Sequence, residues 1–172
     1  MSGCRVMEGS VMARLAGVVF LTVFLAGCAE QWDLVTKLRE QQLDVQETDR
    51  GIVVTLPYVF FGFGSADLNP EARKTVDAIA AILNHPRAER RNLIVEGHAD
   101  AIGQLDANRA LALARAETVA NELIVNNLRR ERVTTHGYGE ERPVAPNTNP
   151  DGTDNPEGRA RNRRVEIVIE KE

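Results

Sequence analysis

Val95-Glu96-Gly97-His98-Ala99-Asp100-Ala101-Ile102-Gly103, running on through Gln104 to Ala116, is the stretch on which the fold turns. Leu93-Ile94-Val95 is an apolar run of strand length, and Gly97 and Gly103 bracket a segment that must turn sharply. From about Asp106 the spacing becomes helical. Leu111, Val119 and Leu123 form a stripe that is expected to pack on a sheet. Arg115 lies inside that stripe, four residues after Leu111 and four before Val119. A guanidinium keeps its proton and is expensive to bury without a partner. Asn108 falls within about 20° of Arg115 on the same helix face, at roughly 100° per residue. A polar line therefore runs along the helix and points back to the loop that carries Asp100. It is either an internal Asp100–Arg115 salt bridge or a ligand site, and spacing alone leaves both open.

Outward from this centre, Asn69-Pro70-Glu71 signals a helix start: a capping side chain, a proline in the first turn, then an acid at the positive end. That helix is expected to stop near Leu83, before Asn84-His85-Pro86. The second long helix covers 106–127. Strands are expected at 43–47 and 52–56, joined by the turn Thr48-Asp49-Arg50-Gly51, and again at 92–96 and 133–137. From Tyr138 to Arg161 the chain is rich in Pro, Asn, Gly and Asp without a period, and reads as a long loop forming a functional rim. Arg164 to Glu170 alternates Val165, Ile167 and Ile169 against Glu166, Val168 and Glu170, as a half-buried strand closing the sheet. The expected fold class is α/β, an α+β sandwich of β-α-β-α-β-β order with two main helices on one mixed sheet.

Hydrophobic residues make up 43% of the 172 residues, enough for a core, and aromatics only 5%, so that core is aliphatic. Ala16 to Gly27 is mostly apolar, follows Arg14, and is too short to span a bilayer comfortably, as in a signal peptide. It ends in Leu25-Ala26-Gly27-Cys28, which resembles the bacterial lipoprotein cleavage box. Small residues there admit a peptidase, and the Cys28 thiol then carries the lipid. A plain signal peptide or short membrane anchor with an incidental cysteine is the competing reading. Cleavage discards Cys4 and leaves neither a disulfide nor a free thiol. The formal charge of −4 becomes one unit more negative without Arg5, Glu8 and Arg14. An acidic chain of this kind is a poor candidate for binding nucleic acid. Domain expectations follow: a signal peptide over 1–27, a lipidated N-terminus and tether over 28–50, with a short amphipathic helix, and one domain over 51–172.

Gly97-His98-Ala99-Asp100, Gly103, Asn108, Leu111, Arg115-Ala116, Val119 and Leu123 together resemble the OmpA-like peptidoglycan-binding domain. So do His136-Gly137-Tyr138-Gly139-Glu140, Pro143, Asn147, Gly158-Arg159 and Asn162-Arg163-Arg164-Val165-Glu166-Ile167. With the Cys28 box, the chain is similar to the peptidoglycan-associated lipoproteins. The resemblance implies a domain that holds the diaminopimelate of the cell-wall stem peptide. Carried across, Asp100 accepts the ligand's ammonium and Arg115 clamps its carboxylate, with Asn108 and Arg163 as supporting donors. One acid beside one arginine complements a zwitterion, and Arg–carboxylate contacts are directional and strong. Tyr58 to Leu68 resembles the family's Phe-rich entry to its first helix, except that Gly62 and Gly64 stand where the family often has Asp or Asn. That leaves backbone amides and Phe61 as pocket walls.

Other arrangements carry less. His98 and His136 lack a third metal ligand at sensible spacing, and either Arg163 or Arg164 is expected to pair with Glu96 or Glu166. Glu140 and Glu141 sit in an exposed turn and do not form a hydrolytic pair. No nucleophile–base arrangement, no metal site and no cofactor is expected, and the protein is read as a non-enzyme. Two functions follow. One is an outer-membrane lipoprotein, facing the periplasm, that tethers the membrane to peptidoglycan. The other is an envelope assembly lipoprotein that uses the domain as a scaffold for other envelope proteins.

Overall fold

The computed structural model describes residues 32–62 and 64–171. The signal peptide, Cys28 and the first residues of the tether expected from the sequence lie outside that range. Five strands form one mixed sheet: β1 (Asp44–Thr48), β2 (Gly51–Pro57), β3 (Leu93–His98), β4 (Val133–Gly139) and β5 (Arg164–Glu170). Four helices accompany them: α1 (Leu34–Arg39), α2 (Pro70–Leu83), α3 (Leu105–Val125) and α4 (Pro156–Asn162). The strand order is β1-β2-β5-β3-β4. β3 and β4 are parallel, linked by α3, whereas β5 runs antiparallel to both β2 and β3.

The helix boundaries have local causes. Asn69 caps α2 with its side-chain oxygen accepting from the Ala72 N–H at 2.8 Å, and Pro70 and Glu71 occupy the first turn. Asn127 adopts φ 69° just beyond the end of α3, the left-handed conformation that stops a helix. Ala72, Val76, Ile79, Ala80 and Leu83 of α2 and Ala116, Val119, Ala120 and Leu123 of α3 are buried against the sheet. Val165, Ile167 and Ile169 of β5 meet them from below. Each Val, Leu or Ile among them contributes roughly 1.5–3 kcal/mol through burial. Gly97 permits the closest approach between layers: a Cβ there would lie 1.8 Å from the Ala112 carbonyl oxygen. β3 and α3 therefore touch backbone to backbone.

Several expectations change. β5 does not close the sheet as a half-buried strand; it is the middle strand, and Glu166 and Val168 are buried along with Val165, Ile167 and Ile169. The cause is its insertion between β2 and β3, with arginine side chains covering the face away from the helices. The expected tether is, from Leu34 onward, folded onto the domain. Leu34, Val35 and Leu38 join the core, while β1 pairs β2 across the Asp49-Arg50 turn as the expected hairpin. Trp32 stacks on His85 with ring centroids 4.0 Å apart. α4 occupies part of the expected loop, capped by Asn155, whose side chain accepts from the Gly158 N–H at 2.9 Å. Leu111 is only partly buried and lines a cleft instead of the sheet. It sits on the turns of α3 nearest the Asp100 loop.

Candidate binding site

The β3–α3 junction, the loop before α2 and the inner side of α4 enclose an open cleft of about 710 Å³. Asp100, Asn108, Arg115 and Arg163 all line it, together with Tyr58, Phe61 and Arg159. Asp100 and Arg115 are not each other's partners. Asp100 is buried; one carboxylate oxygen accepts the Ile102 N–H at 3.1 Å. The other accepts from Arg163 Nη1 at 2.6 Å, with Arg159 Nε at 3.6 Å. Arg163 in turn lies over the Tyr58 ring, 4.4 Å from its centroid. Arg164, its neighbour, faces the other way and donates to Glu166 at 2.7 Å. The choice between the two arginines is thus made by β5 register.

Asn108 ties the loop down. Its amide donates to the Asp100 carbonyl at 3.2 Å and to Glu140 Oε2 at 2.9 Å. Gly103, at φ +110°, lets the loop turn directly above it: a Cβ there would meet Asn108 Oδ1 at 3.2 Å. Glu140 is thereby a second support for the loop, on the far side from Arg163.

Arg115 is 7% exposed. Its Nε donates to the Ser65 carbonyl at 3.0 Å and its guanidinium lies 5.2 Å from the Phe61 ring centroid. Among the described residues it has no carboxylate within ion-pair distance. Burial, then the charge of Arg163, pull its pKa below the ordinary arginine value, while Asp100 opposes them. The cleft therefore sets Arg115, Arg159 and Arg163 around a single lining carboxylate. Asp154 engages Arg159 from outside the cleft. Arg159 was missed in the sequence, although Gly158-Arg159 belongs to the motif that carries the resemblance.

A second polar cluster lies on the sheet face away from the helices. Glu96 accepts both a 2.7 Å and a 2.9 Å contact from Arg50, with Arg142 at 3.6 Å. His98 is buried, and neither ring nitrogen has a hydrogen-bond partner. Burial first, then Arg164, Arg142 and Arg50, lower its pKa to about 3. Glu96, His98 and Glu166 bring ligand atoms within 4.8 Å of one another, a grouping that does not include His136. Arg50, Arg142 and Arg164 already surround the two carboxylates, so a metal ion would have to displace bound cations.

The sequence model of the OmpA family matches residues 60–162. The chain is 33% identical over 134 residues to "Probable lipoprotein YiaD" of Escherichia coli strain K12, which is 77% of this chain and 58% of that protein. It is 31% identical over 125 residues to "Peptidoglycan-associated lipoprotein" of Pseudomonas aeruginosa, 73% of this chain and 69% of that one. The chain thus spans little more than half the length of the first of these relatives. Among solved structures, the cell wall anchor of the T6SS from Pseudomonas aeruginosa superposes with a TM-score of 0.64 at 32% identity, covering 81% of this chain and 94% of the other. No helix of the described residues is long and apolar enough to cross a membrane.

Proposed function

The chain belongs to the OmpA family, and from that premise we propose that it binds peptidoglycan non-covalently through the diaminopimelate of the stem peptide. In this reading it is a binding module without catalysis, residing in the cell envelope. The carrying observation is Arg115: a buried guanidinium on the floor of an open cleft, with no carboxylate within ion-pair distance among the described residues. A ligand carboxylate supplies the missing counter-charge through a directional, charge-assisted contact. Asp100 receives the ammonium. An ionised carboxylate offers about four acceptor positions, of which the Ile102 N–H and Arg163 use one each. Asn108 holds the loop and Arg163 the orientation of Asp100, and both remain within reach as supporting donors.

The names of its relatives, a peptidoglycan-associated lipoprotein and a cell wall anchor, support this reading. Joined to the Leu25-Ala26-Gly27-Cys28 box, it becomes a lipid-anchored tether between the outer membrane and the wall, with the domain in the periplasm. Two or three acyl chains at Cys28 would hold such a protein at a bilayer. The test is sedimentation of the full chain, in mild detergent, with purified walls of diaminopimelate and of lysine type. Lysine-type stems lack the side-chain carboxylate and leave Arg115 unpaired. Pelleting with diaminopimelate walls alone is expected; equal pelleting with both would remove Arg115 as the discriminating group. A scaffold function without wall binding predicts that neither wall carries the protein down.

A further inference from the structure

The cleft does not end at Arg163. Tyr58 and Arg163, stacked on each other, form a wall with a second groove of about 500 Å³ on its far side. That groove runs over the helix-free face of the sheet, floored by Val53 and Pro57 and flanked by Val144 and Arg161. Val144 is 50% exposed and offers an apolar contact at the groove's rim. Arg161 is exposed, and no hydrogen bond or ion pair to a described residue engages its side chain. Of the groove's two acids, Glu166 holds Arg164 at 2.7 Å, whereas Asp44, on β1, accepts from the neutral Gln46 amide at 2.9 Å and keeps its charge. On the α4 side the uncompensated charge, among the described residues, is the cation of Arg161.

We propose that this groove is a second subsite, which takes the anionic peptide running on from the diamino acid held in the first cleft. The inference rests on the reading of that cleft as the diaminopimelate site. A wall stem peptide carries a free carboxylate on the glutamate preceding its diamino acid and bears methyl side chains on its alanines. The carboxylate meets Arg161, and the methyl groups lie on Pro57 and Val144. The shared Tyr58–Arg163 wall makes the two sites one continuous footprint, so recognition extends beyond a single residue of the wall.

Calorimetric titration of the full chain in mild detergent separates the two subsites. The probes are free meso-diaminopimelic acid and the tripeptide L-Ala-γ-D-Glu-meso-diaminopimelate. The tripeptide is expected to bind more tightly than the free amino acid. Arg161→Glu is expected to weaken the tripeptide about fivefold to tenfold, by replacing attraction with repulsion at a partly exposed pair, and to leave the free amino acid unchanged. Val144→Ser, equally exposed and harmless to folding, is expected to weaken the tripeptide about twofold. A tripeptide that binds no tighter than the free amino acid, or that ignores Arg161→Glu, overturns the second subsite and leaves the first in place. Free diaminopimelate that binds Arg115→Met as well as wild type overturns the first reading and this inference with it.

Discussion

Replacing Arg115 by methionine sets stability against binding. Methionine keeps the length and most of the aliphatic contact but removes the charge. The folded domain loses one charge-assisted hydrogen bond to the Ser65 carbonyl, typically about 1.5–3 kcal/mol. It also loses the cation–π contact with Phe61, about 0.5–2 kcal/mol. Against these stands the desolvation of a buried cation that has no carboxylate partner, several kcal/mol in effective terms. The opposing contributions are of similar size, so the net change is expected within about 1 kcal/mol of zero. For a chain of this length that is a melting shift of roughly 2–4 °C in either direction. Binding behaves differently. A ligand carboxylate entering the cleft of Arg115→Met finds no counter-charge, which costs about 2–5 kcal/mol, or roughly 30-fold to several-thousand-fold in affinity. Thermal melts and sedimentation with diaminopimelate-type walls, on the same preparation, give both numbers. A folded Arg115→Met protein that pellets as well as wild type would sink the cleft assignment. A loss of some 4 kcal/mol or more in stability would make Arg115 the strut of the 58–65 loop instead.

Three further perturbations test the anchor, the packing and the buried histidine. Cys28→Ala is expected to abolish palmitate labelling and release the protein from the outer-membrane fraction; unchanged labelling refutes the cleavage site. Gly97→Ala places a Cβ 1.8 Å from the Ala112 carbonyl oxygen, so β3 and α3 must part, and urea denaturation is expected to show a loss of about 3 kcal/mol or more. His98 has a folded pKa of about 3 against roughly 6.5 in the unfolded chain. Its contribution is therefore complete above neutral pH and falls away as the pH drops from about 6.5 toward 3, by up to about 1.4 kcal/mol per unit. His98→Leu is expected to flatten stability between pH 6.5 and 5; an unaltered slope would mean that the ring charges within the fold.

How much of this was legible beforehand depended on whether the deciding interaction was local. The start of α2 is written in Asn69-Pro70-Glu71, because a cap and its recipient N–H are three residues apart. The same signal stands at Asn155-Pro156-Glu157 before α4, but it sits in an aperiodic, loop-like stretch, where hydrophobic spacing offered no support. The positions of Asp100, Asn108 and Arg115 around one cleft were likewise readable, since helical geometry places Asn108 and Arg115 on one face and the loop length places Asp100 above them. Leu111 was misplaced by the same rule: periodicity marks a face but not where the sheet beneath that face stops.

Charge partners were another matter. An Asp100–Arg115 pair looked natural along the chain, yet Asp100 selects Arg163, sixty-three residues away. That choice follows from the insertion of β5 between β2 and β3, a matter of strand pairing that alternating apolar residues cannot specify. The pattern of β5 is satisfied equally at an edge or in the middle of a sheet. Only its antiparallel register with both neighbours buries Glu166 beside Arg164, turns Arg163 into the cleft and places Arg159 behind it. The sequence alone determined most of the elements, α4 excepted, and the residue types that line the cleft, because those depend on neighbours a turn or two apart. The tertiary structure alone decided which arginine neutralises the aspartate and which is left without a carboxylate, because ion pairing is set by distances in space between segments far apart in the chain.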